Sequence, residues 1–160
     1  MALLCYLADT DACKGALRLM PGSHHAATPL HRVLPEPHAA DADALPGGHP
    51  ALANAAEQVT MTLNAGDAVI LDYRLLHGTH ANATANRRDA IIMSFAPAWS
   101  DLPDDLRAQL ICHPALPDPA EEQARAACAY GDLLPRFGGR RQSLSINRVP
   151  PIDFYVREAR

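Results

Sequence analysis

The feature that most constrains the fold is a pair of short apolar runs separated by a polar segment. The turn residue Gly66 leads into the run 68–71 (AVIL), and the run 90–95 (AIIMSF) follows a loop rich in Asn, Thr and Ala. Runs of this length, bounded by turn residues, are typical of buried strands. Two such strands joined by a loop form a hairpin. The sequence therefore predicts that His77, after the first run, and Arg88, before the second, lie at the same end of one sheet.

Three further stretches have the length and pattern of short strands. They cover residues 2–8, 16–20 and 58–63, and polar or proline-containing turns separate them. Helices are predicted nearer the C-terminus, over 102–111 with Asp101 as its cap, and over 118–130, where Asp, Pro and Glu give a typical helix start. Short strands followed by helices predict a mainly β fold, an antiparallel sandwich or barrel with C-terminal helices.

The chain is expected to form one domain in two parts. Residues 1–100 hold the β core, and residues 101–160 form a helical C-terminal extension of the same domain. The core is interrupted at about 25–54 by a long irregular segment, with one helical turn near 50–55. Long loops in compact domains often act as lids or substrate loops. A merely tolerated insertion explains this segment equally well, so both interpretations stay open.

Composition excludes several classes of protein. The 160 residues carry a net charge of −4 with no run of more than two basic residues, which argues against a nucleic-acid partner. No window has the apolar length of a membrane span, and no basic and apolar leader opens the chain. The four cysteines form no C-x-x-C pair, so reduced thiols are expected rather than a zinc site. A soluble, cytoplasmic protein fits these features best.

Three segments together resemble the phytanoyl-CoA dioxygenase family. The first, GALRLMPGSH at 15–24, is similar to the family's G-x-L-x-x-x-P-G-[ST]-H segment. The second is GDAVILD at 66–72, and the third is Leu76-His77-Gly78 followed by Asn82 and Arg88. The resemblance covers most of residues 2–99. It implies a double-stranded β-helix, the jelly-roll fold that cupins also adopt, and the activity of an Fe(II)- and 2-oxoglutarate-dependent dioxygenase.

The resemblance also assigns expected roles to four residues. His77 matches the family's distal metal-binding histidine, so it is expected to ligate Fe(II). Arg88, eleven positions later, matches the arginine that binds the far carboxylate of 2-oxoglutarate with its planar fork. Thr79 matches a hydroxyl residue that assists it, and Leu4 falls on a strand position that lines the co-substrate pocket. The implied reaction is hydroxylation of a small organic substrate, in which 2-oxoglutarate becomes succinate and carbon dioxide.

Strand alternation makes a separate prediction about Arg88. Side chains two residues apart share one side of a strand. Arg88 is therefore expected to share a side with Ala90, whereas Arg87 and Asp89 point to the other side.

One departure from the family pattern bears on activity. The family's iron site needs a second histidine and a carboxylate in an H-x-[DE] motif, and none of the eight histidines here starts such a motif. The fold is thus expected to be truncated at its N-terminal side, as a fragment, a sequence with a late start, or a degenerate relative. An open sheet edge would then favour association.

Two alternatives to a dioxygenase follow from that departure. One is a non-catalytic jelly-roll binding module or pseudoenzyme that keeps His77 and Arg88 for an anion or for structure. The other is a cupin-like metalloprotein whose carboxylate comes from elsewhere, such as Asp72 or the 25–54 segment.

Overall fold

The structure of the chain, a computed structural model, describes residues 1–35, 45–46, 48–113, 116, 124 and 133–143. Within these residues one compact unit comprises Met1–Phe95, and a second begins at Ala96. No helix in the described ranges is long and apolar enough to cross a membrane.

Six short strands make the first unit mainly β. They are β1 Ala2–Tyr6, β2 Leu17–Leu19, β3 Val59–Met61, β4 Ala68–Leu71, β5 His77–Thr79 and β6 Ala90–Ser94. They form two antiparallel sheets, with strand orders β4-β1-β6 and β3-β2-β5. From β3 onward the chain alternates between the sheets. The mainly β, jelly-roll-like fold predicted from the sequence is confirmed.

The predicted hairpin is wrong. β4 and β6 do not pair with each other, because both flank β1 in one sheet. The stretch between them crosses to the other sheet and adds β5 beside β2. The sequence of β5, His-Gly-Thr, is polar and short, so it lacks the apolar pattern that identifies a strand. His77 and Arg88 consequently belong to different sheets.

The core lies between the two sheets and is built by strand alternation. Ala2, Leu4 and Tyr6 point inward from β1 and are buried, whereas Leu3 and Cys5 are only partly so. The buried cluster is completed by three leucines, namely Leu17, Leu63 and Leu71. Apolar contact between the sheets therefore holds the first unit together.

The long segment at 25–54 is irregular where it is described, with two short helical pieces. Helix α1 covers Leu30–Val33, and a 3-10 turn covers Pro50–Leu52. The turn confirms the helical turn expected near residues 50–55. Arg18, on the outer side of β2, donates to the carbonyl oxygens of Ala51 at 2.6 Å and Ala53 at 3.2 Å. These bonds hold the turn against the second sheet, because one guanidinium donates hydrogen bonds to several carbonyl oxygens of the turn.

The second unit contains a 3-10 turn at Trp99–Asp101 and helix α2 at Asp104–Leu110. The helix predicted over 102–111 is confirmed, but Pro103 occupies the N-cap position instead of Asp101. The helix predicted over 118–130 lies outside the described residues apart from Ala124. The placement of this unit as an extension of the same domain stays a prediction.

Candidate functional site

His77 and Thr79 lie on the core-facing side of the second sheet. Across the ladder, His77 is opposite Leu19 and Thr79 is opposite Leu17. Directly opposite residues in antiparallel strands share one side of the sheet, and Leu17, 1% exposed, belongs to the core. Both site residues are nevertheless exposed. They therefore line an inner surface that solvent reaches.

The hydrogen bonding of His77 suits a metal ligand. Its Nδ1 lies 2.7 Å from the carbonyl oxygen of Leu75. A carbonyl oxygen only accepts hydrogen bonds, so Nδ1 carries the proton. The lone pair is then on Nε2, and a second-sphere bond of this kind fixes the orientation of a ligating imidazole.

A buried serine positions the backbone just before His77. Ser23 is fully buried, and its Oγ accepts a 2.8 Å hydrogen bond from the amide of Leu76. The amide of Met20 donates to the carbonyl oxygen of Leu76 at 2.9 Å. The Pro-Gly-Ser-His turn is thus attached to the start of β5. Sequence reasoning did not give Ser23 this role, although it falls at the [ST] position of the segment that carries the resemblance.

Arg88 lies on the inner side of the first sheet, as alternation predicted. Ala90, two residues on, is opposite the buried Tyr6, and the Arg88 guanidinium carbon is 5.7 Å from the Tyr6 ring centroid. Arg87 and Asp89 are exposed and form their own ion pair at 3.0 Å. The neighbouring arginines therefore have different surroundings, and only Arg88 contacts the core.

Arg88 also lies at the end of β5 that Thr79 occupies. Gly15, with a φ of +68°, approaches Arg88 so closely that a Cβ there would lie 3.4 Å from its Nε. The same Cβ would lie 3.5 Å from the carbonyl oxygen of His80, the residue after Thr79. The β1–β2 turn therefore lies between Arg88 and the backbone just after β5, and a shared pocket for Arg88 and Thr79 stays a prediction.

Asn82 organises the loop between β5 and Arg88. Its Nδ2 donates to the carbonyl oxygen of Asn86 at 2.7 Å, and its Oδ1 accepts from both the amide and the hydroxyl of Thr84. The backbone of Asn82 also forms a bridge with Lys14. These bonds define the loop that leads to Arg88, since one side chain is bonded to both Thr84 and Asn86.

Tyr6 lies beneath Arg88, and Leu4 is the next inward residue of β1. Leu4 is buried between Val69 and Ile92 on neighbouring strands, and its place in the co-substrate pocket stays a prediction. Tyr6 is fully buried, and its hydroxyl has no hydrogen-bond partner among the described residues. Burial raises the pKa of Tyr6, against the opposing effect of the Arg88 charge. The hydroxyl therefore keeps its proton and can donate.

A shallow polar cavity of about 200 Å³ lies beside Arg88. It is lined by Ala8 and by charged or polar side chains, those of Asp9, Lys14, Asn82, Thr84, Asn86, Arg87 and Arg88.

The described residues do not assemble an iron site. No group of three His, Cys, Asp or Glu side chains within the described ranges could hold a metal ion. Asp72, the alternative carboxylate, is bound by the Arg74 guanidinium at 2.6 Å, and this bonding lowers its pKa to about 2. Arg88 suits an anion instead, because its planar guanidinium can donate two hydrogen bonds to one carboxylate.

The fold and these side chains define a jelly-roll-like protein with a solvent-accessible imidazole on the inner side of one sheet and an arginine on the inner side of the other. Residues 1–90 match the family model of phytanoyl-CoA dioxygenase (PhyH). The chain belongs to this family, as the resemblance predicted. No curated protein and no solved structure gives a significant match to the chain.

Proposed function

We propose that the protein serves Fe(II)- and 2-oxoglutarate-dependent hydroxylation of a small organic substrate, and that this chain supplies the 2-oxoglutarate-binding part of the site. Membership of the phytanoyl-CoA dioxygenase family supports the reaction class. One observation carries the assignment to this part of the chain: Arg88 lies over the buried Tyr6, at the end of β5 where Thr79 faces the core side.

The roles proposed for the side chains follow from their chemistry. Arg88 binds the far carboxylate of 2-oxoglutarate, because its planar guanidinium can donate two parallel hydrogen bonds to one carboxylate. Thr79 donates a further bond from its hydroxyl. Leu4 packs against the aliphatic part of the co-substrate.

His77 is proposed as one imidazole ligand of Fe(II), through Nε2. A facial site for this metal takes two histidines and one carboxylate. The 160 residues hold no H-x-[DE] motif, and the described residues form no cluster of three donors. We therefore propose that turnover requires a second histidine and a carboxylate that this sequence does not supply in the family's pattern.

An anaerobic titration of the 160-residue chain with Fe(II) and 2-oxoglutarate tests the metal assignment. Chelation of 2-oxoglutarate by bound Fe(II) gives a visible charge-transfer band. We expect 2-oxoglutarate to bind without a saturating band, and a saturating band would show instead that the chain completes its own metal site. The His77→Ala variant is the control, because a band that survives it arises elsewhere.

A non-catalytic binding module is the second candidate. The absence of a three-donor cluster among the described residues favours it. It predicts that Fe(II) leaves the affinity for 2-oxoglutarate unchanged and that His77→Ala has no effect on it. The oxygenase assignment predicts that adding the missing ligands, on a separate segment with an H-x-[DE] motif, restores metal-dependent binding. A small organic substrate and a cytoplasmic location remain predictions under both candidates.

A further inference from the structure

Lys14 is the only lysine among the 160 residues, and the proposed roles leave it unused. Its side chain lines the shallow cavity that Arg88 also lines. Backbone contacts fix the two residues relative to each other. Lys14 forms a bridge with Asn82, and a Cβ on the next residue, Gly15, would lie 3.4 Å from the Nε of Arg88. Two cationic side chains therefore belong to one cavity of about 200 Å³.

The other charged groups of this cavity differ in whether they have partners. The side chain of Arg87 is 87% exposed and pairs with Asp89 at 3.0 Å. The carboxylate of Asp9 accepts a 2.8 Å hydrogen bond from the amide of Ala65. Among the residues that the structure describes, no carboxylate pairs with Arg88. A planar guanidinium beside a cavity and without a carboxylate partner is suited to bind an anion.

The carboxylate that pairs with Lys14 does not depend on it. The Nζ of Lys14 lies 3.5 Å from the Oδ2 of Asp11, and both side chains are nearly half exposed. The Oδ1 of Asp11 accepts hydrogen bonds from the amides of Cys13 at 2.8 Å and Lys14 at 3.0 Å. The bond from Cys13 is the main cause that lowers the pKa of Asp11. An exposed ion pair contributes little, so the Lys14 ammonium is free to pair with an anion in the cavity.

We propose that Lys14 is a second cation of the anion site at Arg88, and that the cavity they share selects a co-substrate with a second carboxylate. This inference rests on the proposed function, because it takes the anion to be the far carboxylate of 2-oxoglutarate. Like charges that line one cavity repel each other, and an anion bound there replaces this repulsion by attraction. Lys14 is then a specificity-determining residue in addition to Arg88 and Thr79.

The test compares Lys14→Gln and Lys14→Arg with the parent chain in calorimetric titrations against two ligands. One is 2-oxoglutarate, and the other is 2-oxopentanoate, which has the same chain length but lacks the far carboxylate. Lys14→Gln is expected to weaken 2-oxoglutarate binding roughly fivefold at low salt, because a half-exposed charge contributes less than a buried one. It should leave 2-oxopentanoate binding nearly unchanged, and the loss should shrink at high salt. Lys14→Arg should bind both ligands like the parent, since it keeps the charge.

Arg32→Gln is the matched control, because Arg32 is exposed on α1 and does not line the cavity, whereas its loss changes the net charge equally. This control should keep the parent's affinity for 2-oxoglutarate. Lys14→Gln should also unfold at the parent's urea concentration, since the pair with Asp11 is exposed. Full affinity in Lys14→Gln, or an equal loss in Lys14→Arg or Arg32→Gln, would overturn the inference and leave the proposed function intact. Failure of the parent to bind 2-oxoglutarate would overturn both.

A second measurement needs no substitution at residue 14. Protein made with lysine labelled with ¹³C at Cε gives a single lysine signal, because the chain has one lysine. This signal should shift on adding 2-oxoglutarate, with the dissociation constant that calorimetry gives. It should not shift in Arg88→Ala at the same concentrations. If the lysine signal of the parent stays unmoved while 2-oxoglutarate binds, or moves equally in Arg88→Ala, the inference is wrong.

Discussion

The Nδ1 atom of His77 lies 2.7 Å from the carbonyl oxygen of Leu75, two residues earlier on the chain. This short bond places the ring proton on Nδ1 and leaves the lone pair on Nε2. His80, later in the same segment, uses its Nε2 for the hydroxyl of Thr60 at 2.9 Å. The two histidines therefore differ in which nitrogen is available, and alternation places them on opposite sides of the sheet.

With the missing ligands supplied on a segment that carries an H-x-[DE] motif, His77→Ala is expected to abolish metal binding in the presence of 2-oxoglutarate, because it removes the one ligand that this chain is proposed to supply. His80→Ala should retain it and cost only the bond to Thr60, about 1 kcal/mol. Binding of Fe(II), or of Co(II) as a spectroscopic substitute, can be followed by anaerobic visible absorption. Equal binding by His77→Ala and the parent would show that His77 is not a ligand.

Arg88→Ala is expected to weaken 2-oxoglutarate binding by on the order of 100-fold, because it removes two charge-assisted hydrogen bonds. The neighbouring Arg87 is the matched control, since its guanidinium is exposed and paired with Asp89. Arg87→Ala should change the dissociation constant less than twofold. Calorimetric titration of both variants measures the contrast, and comparable losses would indicate a general effect of positive charge.

Gly15→Ala should damage both stability and co-substrate binding. At a φ of +68° an alanine is strained by about 1–2 kcal/mol, and its Cβ would lie 3.4 Å from the Arg88 Nε. Gly66→Ala is the control, because its φ of +97° also disfavours alanine but no atom lies within 4 Å of the added Cβ. Both variants should unfold at lower urea concentration, and only Gly15→Ala should also weaken 2-oxoglutarate binding.

The sequence predicted five of the six strands because their apolar residues carry the pattern of burial. Alternation also placed Arg88 correctly, since its neighbour Ala90 is opposite Tyr6. β5 was missed because its ladder with β2 depends on backbone bonds rather than on apolar side chains. The prediction that β4 pairs with β6 was wrong for a related reason. The two apolar runs are consecutive in the sequence pattern, which suggested a hairpin, whereas β1 pairs with both strands.

The candidate site was only partly predictable. The resemblance identified His77, Thr79 and Arg88, which match motif positions. The contacts of Ser23 and Tyr6 could not be predicted, because each depends on an element far away in the sequence. Ser23 bonds to Leu76, and Tyr6 contacts Arg88. A pattern within a short stretch of sequence does not predict contacts between residues so far apart along the chain.

Asp72→Asn should reduce stability at neutral pH but not in strong acid. Bonding to Arg74 lowers the pKa of Asp72 to about 2, against about 3.9 in unfolded chains. The Asp72–Arg74 pair therefore contributes fully to the free energy of unfolding above about pH 4, and this contribution is lost as the pH falls through about 2. The side chains of Asp72 and Arg74 are both more than a third exposed, so the contribution of the pair to the free energy of unfolding is at most about 1 kcal/mol.

Urea unfolding at about pH 6 and pH 2 measures this difference between parent and variant. In the Arg74→Ala background the effect of Asp72→Asn should shrink, because the guanidinium bonds are lost and the backbone bond from residue 74 and the smaller effect of His24 remain. A difference that persists undiminished at pH 2 would contradict the ion-pair explanation.

The β4-β1-β6 sheet should mediate association between copies of the chain. β4 and β6 form its edges within the described residues, and edge strands offer unpaired backbone groups. Ile91 on β6 and Ile70 on β4 are 50% and 69% exposed on the outer side of this sheet.

Ile91→Lys should weaken self-association at least about tenfold in sedimentation velocity, because a charge on an edge strand opposes pairing. Leu133→Lys is the control, since Leu133 is 84% exposed but belongs to the second unit. Equal weakening by both substitutions would trace association to general apolar exposure instead of to the sheet edge.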